Sequence, residues 1–151
     1  VADVHLGKLT RRLRLLGFDC QYNRQWDDPD LAAISQRQTR VLLTRDRGLL
    51  MRNRVTHGIF IRSDEPDTQC REVLDRLDLH NDLQPWTLCI ACNGRLREVD
   101  KPQVKDRVPA FTYKHKEMFS ECTACGKVYW QGTHWPKLKD FISQITRKDG
   151  E

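Results

Sequence analysis

Val41-Leu42-Leu43-Thr44-Arg45-Asp46-Arg47-Gly48-Leu49-Leu50 decides the fold class. Its first four residues form an apolar run without polar alternation. That is the pattern of a strand buried on both faces, as in a parallel sheet. Asp46-Arg47-Gly48-Leu49-Leu50 then opens a short helix. Reading outward, residues 58–62 (Gly-Ile-Phe-Ile-Arg) are the next strand. Residues 68–79 are an amphipathic helix with Val73, Leu74 and Leu77 inward. On the other side, Asp28-Pro29 reads as an N-cap followed by proline at the first helical position. Leu31, Ala32, Ile34 and Ser35 carry that helix to about Arg40, and residues 18–22 form a short strand. Residues 3–17 are a helix following a strand end. Leu6, Leu9, Leu13 and Leu16 make its apolar face, Lys8, Arg11, Arg12 and Arg14 lie largely off that face, and Gly17 is the stop. Strands and helices alternate four times, which predicts an α/β domain with a parallel sheet over residues 1–83.

A second unit is expected over residues 84–151, beyond a linker at 80–85. It carries two Cys-x-x-Cys pairs, Cys89-Ile-Ala-Cys92 and Cys122-Thr-Ala-Cys125. Two intervening residues let both thiolates of a pair reach one tetrahedral ion, and a second pair completes a four-sulfur shell. Asn93-Gly94 and Gly126 permit the tight turns this needs. The layout is that of a zinc ribbon with a structural Zn²⁺, since four thiolates leave no position for water. Two disulfides or a redox motif are the competing readings, and nothing else in the composition suggests an oxidising compartment. Cys20 and Cys70 read as buried thiols. A charged insert separates the pairs, and a helix over 137–145 closes the chain.

The 151 residues are 38% hydrophobic and 31% charged with a net charge of +5, a soluble globular composition. No run approaches the ~20 apolar residues that span a bilayer. No secretory signal is visible, and a cytoplasmic location is expected. Residues 1–62 carry twelve Lys/Arg against six acids, while residues 63–83 carry two against seven. Such a basic surplus suits a polyanionic partner such as nucleic acid, or simply a solvated surface.

Sites in parallel sheets form at the carboxyl ends of strands. Asp3 and Asp46 each follow a strand, and Asp27, Asp28 and Asp30 mark the start of the second helix. Several carboxylates can hold Mg²⁺ or Mn²⁺ for phosphodiester hydrolysis. Each of Asp3, Asp28 and Asp46 is equally explained as a helix cap. Arg11, Arg12, Arg14, Arg45, Arg47, Arg52 and Arg54 could line a phosphate-binding surface, with Arg45 and Arg47 favoured because they flank Asp46. Trp130, His134 and Trp135 offer base stacking or packing of the ribbon on the first domain.

Val1-Ala-Asp-Val-His-Leu-Gly-Lys-Leu-Thr-Arg-Arg-Leu-Arg-Leu-Leu-Gly-Phe-Asp19, Asp27-Asp28-Pro29-Asp30-Leu31, the Val41–Arg47 stretch, both cysteine pairs and Gly132-Thr-His-Trp135 together resemble a known family. It is the PIN-like ribonuclease domain found at the C-terminus of the nematode protein Mut-seven, in its bacterial branch. The resemblance implies a Rossmannoid three-layer PIN-like domain with a fused C-terminal zinc ribbon. It implies a Mg²⁺- or Mn²⁺-dependent ribonuclease with Asp3, Asp28 and Asp46 as catalytic acids. Asp30 and Asp64 are further candidates, and Lys8, Arg11, Arg12, Arg45 and Arg47 are candidate RNA contacts. Bacterial relatives often carry a ubiquitin-like domain upstream, and a chain opening on Val1 fits a piece of a longer protein. The competing functions are a PIN-like module that binds RNA without cutting it, and a protein-docking domain.

Overall fold

Leucines spaced three and four apart draw the first helix onto a core. Leu6, Leu9, Leu13 and Leu16 are each at most 3% exposed. They lie on a 3-10 turn (Val4–Leu6) that runs into α1 (Gly7–Leu15). The computed structural model describes residues 1–132 and 135–146. After α1 come α2 (Asp28–Gln38), β1 (Leu42–Thr44), α3 (Arg47–Leu50), β2 (Gly58–Phe60) and α4 (Pro66–Arg76).

β1 pairs in parallel with β2, Leu43 opposite Ile59, and on its other edge a parallel bridge joins Leu43 to Ala2. The alternation of side chains along a strand divides the apolar residues between two faces. Ala2, Leu43, Ile59 and Ile61 pack with α1 and α4 on one face. Val1 and Leu42 pack with Leu31, Ile34 and Leu49 on the other. The sheet is thus covered by helices on both sides, which is why Leu42, Leu43 and Thr44 are all buried.

Local chemistry moves several boundaries. The cap of α2 is Asp27, not Asp28, because Asp27 and Asp30 form a reciprocal capping box. α4 starts at Pro66, since the Glu65 carboxylate accepts from the Asp67 and Thr68 N–H groups. The expected strand over 18–22 forms no ladder. Gln21 accepts one bond from Ala2 N at 3.1 Å, but the polar groups of Cys20 are engaged elsewhere. Arg14, expected off the apolar face, is 5% exposed.

An antiparallel sheet in the order β3-β4-β5 follows, from β3 (Leu96–Val99), β4 (Phe119–Cys122) and β5 (Val128–Tyr129). The insert between β3 and β4 folds into a 3-10 turn, which buries Val104, and α5 (Ala110–His115). α6 (Trp135–Thr146) returns to the first core, where Ile145 is buried and Phe141 and Ile142 pack. Among the described residues no helix is long and apolar enough to cross a membrane.

Gly17 ends α1 at φ +93°, and a Cβ there would lie 2.3 Å from the Gln84 carbonyl oxygen. Gly17→Ala is therefore expected to cost about 2 kcal/mol or more. Urea denaturation of the two proteins side by side measures it, and an unchanged midpoint would contradict the close approach of residue 84.

Candidate active site and metal centre

The four cysteines converge. Cys89 follows a bridge between Leu88 and Arg95, and Cys122 ends β4. All four Sγ atoms lie within 4.8 Å of one another, with Cys89–Cys125 at 3.8 Å and Cys92–Cys122 at 3.4 Å. Sulfurs bonded to one another would stand about 2.05 Å apart. Four ligands at about 2.3 Å from a tetrahedral centre stand slightly under 4 Å apart, so the cluster fits a metal such as zinc. Turn geometry serves the sulfurs. Asn93 has φ +73° and Gly126 φ +79°. Cys122 Sγ accepts from the N–H groups of Ala124 (3.3 Å) and Cys125 (3.4 Å), and Cys92 Sγ accepts from Gly94 N (3.4 Å). A Cβ on Gly94 would sit 2.7 Å from Cys122 Sγ, so only glycine fits.

Burial opposes ionisation of Cys122, yet the N–H groups of Cys125 and Ala124 bring its thiol down to about 6. Burial and the neighbouring sulfurs push Cys92 up to about 12. Ligation to a metal takes thiolates, so metal binding by the cluster releases protons. The Tyr129 hydroxyl lies 2.9 Å from Cys89 Sγ, and burial followed by that sulfur keeps it protonated as a donor.

The first cysteine turn is tied to the α/β core. Arg14 donates to the carbonyls of Cys20 (3.0 Å), Ile90 (3.0 Å) and Ala91 (3.3 Å). Asn93 accepts from Cys20 N at 3.1 Å and donates to Asp19 Oδ1 at 2.7 Å. No local pattern signals the bonds to Ile90, Ala91 and Asn93, which join residues more than seventy positions apart.

The acids form a looser group. Asp3 is 4% exposed. Its Oδ1 accepts from His5 N at 2.8 Å, and its Oδ2 accepts from the Thr44 hydroxyl. Thr44 Oγ1 accepts in turn from Asp46 N at 2.9 Å. Asp46 Oδ1 caps α3 by accepting from Gly48 N (2.8 Å) and Leu49 N (3.3 Å). Asp3, one residue past the Ala2–Leu43 bridge, and Asp46, two residues past the end of β1, are thus linked through one hydroxyl. Asp28 is half-buried at the first residue of α2, Asp30 is engaged in the capping box, and Asp64 is exposed in the loop after β2. Among the described residues the four cysteines are the group of three or more ligands close enough to share an ion, and these acids do not close into such a group.

The basic residues divide. Arg45 donates to the Ile61 and Arg62 carbonyls, at 3.1 and 2.7 Å, and to that of Ser63. The Arg47 guanidinium lies 4.4 Å from the Phe60 ring centroid, and Arg12 pairs with Asp67 at 2.5 Å. Lys8 and Arg11 are exposed on α1. Trp130 is half-buried, its ring centroid 6.4 Å from that of Phe119. His134 and the side chain of Trp135 lie outside the described residues.

Fold and site define an α/β protein with a parallel sheet and a four-cysteine cluster whose geometry fits a metal ion. Residues 1–142 match the family model described as Mut7-C RNAse domain, and the chain belongs to that family. Membership carries a ribonuclease-type function, with RNA as the class of substrate. No curated protein and no solved structure gave a match.

Elemental analysis is expected to find one zinc per chain, and Cys122→Ser to lose it. Stripping the metal should lower the thermal midpoint by about 10 °C or more, because a bound ion stabilises the folded state alone. A midpoint unmoved by chelation would exclude a structural metal.

Proposed function

We propose that the chain is a metal-dependent ribonuclease, a PIN-like three-layer domain over residues 1–83 with a zinc ribbon over residues 84–151. The observation that carries this reading is the Asp3–Thr44–Asp46 link at the carboxyl end of β1. Mg²⁺ commonly takes one or two protein carboxylates and completes its shell with water and substrate phosphate. Asp3 and Asp46 suit that role, Mn²⁺ serving equally, with Asp28 as the third acid and Asp30 and Asp64 as outlying ones. Bound there, the ion would supply an activated water and stabilise the leaving oxygen.

The chain's own residues do the rest. Thr44 fixes the Asp3 carboxylate and the Asp46 backbone at once. The α3 N–H groups hold Asp46 as an oriented anion. Lys8 and Arg11 offset the acids' repulsion of an RNA backbone. Zn²⁺ in the cysteine cluster is structural, holding the ribbon against the first domain. A four-thiolate site needs reduced cysteines, which favours the cytoplasm. Asp3 and Asp46 also act as caps, and that double use favours the competing reading, an RNA-binding module without catalysis.

Asn caps helices about as well as Asp, so Asp46→Asn separates the two readings. Metal-dependent cleavage of end-labelled RNA should fall about 100-fold or more, beyond what loss of an outer-shell partner costs, with little change in thermal midpoint. Asp3→Asn should behave likewise. Wild-type protein that binds several RNAs and cuts none with either metal would establish the binding module instead.

A further inference from the structure

Two arginine side chains in the segment that follows Asp46 are uncommitted. Arg52 and Arg54 are exposed in the turn that leaves α3, and neither guanidinium makes a hydrogen bond or ion pair among the described residues. Arg12, Arg14, Arg45 and Arg47 are all engaged by other groups. With Asn53, Pro29 and Ala32, these two arginines line an open groove of about 360 Å³. One wall is the first turn of α2, which begins at Asp28. The other follows the helix capped by Asp46. Neither Asp3 nor Asp46 lines the groove itself.

We propose that this groove is a phosphate-binding subsite for single-stranded RNA, in which Arg52 and Arg54 hold backbone phosphates flanking the bond presented to the acids. The proposal rests on the ribonuclease reading. Guanidinium groups with no carboxylate partner are the strongest phosphate ligands a surface offers. From Arg45 to His57 the chain carries four arginines against one acid. Arg45 is spent on the carbonyls after β2 and Arg47 stacks on the Phe60 ring, whereas the Arg52 and Arg54 guanidinium groups touch no such partner among the described residues. Residues two apart stand at most about 7 Å from one another, a span that suits neighbouring phosphates of one strand. Pro29 and Ala32 give the groove an apolar wall for sugar or base, and Asn53 offers both donor and acceptor to a 2′-hydroxyl.

The test measures binding of a fluorescent single-stranded RNA over a range of KCl concentrations. It uses full-length, zinc-loaded protein in the Asp46→Asn background, so that nothing is cut. Each phosphate contact on a single strand adds about 0.7 to the slope of log K against log salt, so R52A/R54A should flatten that slope by about 1.4. Its affinity at low salt should fall more than about tenfold. R52K/R54K, which keeps the charge, should retain most of the slope. K137A/K139A removes two exposed charges from α6 and should change the slope less than half as much. An R52A/R54A slope equal to that of the parent overturns the subsite, and cleavage by the wild type would still stand as its own measurement. An equal loss from K137A/K139A also overturns it, by showing that only net charge is read. A parent that binds no RNA at low salt removes the subsite, and the cleavage assay then decides the fate of the nuclease reading separately.

Discussion

The buried guanidinium of Arg14 joins the two halves of this chain. It fills the acceptors of Cys20 on one side and of Ile90 and Ala91, inside the first cysteine turn, on the other. Burial lowers the affinity of Arg14 for its proton, though not enough to discharge an arginine. A buried cation without acceptors would be costly, so the carbonyls must be in place whenever the chain is folded. Asn93 doubles the link, accepting from Cys20 N and donating to Asp19. Residues 19–21 are therefore clamped from the ribbon side. Gln21 accepts from Ala2 N, so the strand that ends at Asp3 rests on the clamped segment.

This chain of bonds ties the cysteine cluster to the acids. Residues 89–93 carry two of the four clustered sulfurs, and the carbonyls of Ile90 and Ala91 in the same turn accept from Arg14. The acids are reached from there through residues 19–21 and the N-terminal strand. α6 adds a second tie, because it follows the ribbon in sequence but packs Ile145 against the first core. The ribbon is thus held at both of its ends by the domain that carries the acids.

What the sequence makes legible follows from how local each cause is. The Leu6-Leu9-Leu13-Leu16 face, the buried Leu42-Leu43-Thr44 strand and the paired cysteines are written in spacings of a few residues, and the structure has all three. Asp28 read as a cap because proline follows it. The cap fell to Asp27 because only that residue has a carboxylate three positions before its reciprocal partner Asp30. The strand expected over 18–22 has the right residue types, but its backbone groups bond to Asn93 and Arg14, and no local pattern announces partners that far along the chain. Arg45 looked like a phosphate ligand because it flanks Asp46. Its guanidinium instead braces the carbonyls that end β2 and begin the next loop. Arg52 and Arg54 gave no stronger signal in the sequence than the engaged arginines did. What distinguishes them from those is that their guanidinium groups have no partner among the described residues.

Capping and catalysis look like rival accounts of Asp3 and Asp46, but the lone pairs permit both. A carboxylate offers about four acceptor sites. Asp3 uses two, one for His5 N and one for the Thr44 hydroxyl. Asp46 uses two as well, both on Oδ1, and its Oδ2 makes no hydrogen bond among the described residues. Each acid keeps acceptor capacity for a cation after its structural bonds are made. Those bonds also fix the direction in which the remaining lone pairs point. A strand end followed at once by a helix supplies that orientation from backbone geometry alone. The same few residues can then start a helix and hold an ion without one role displacing the other.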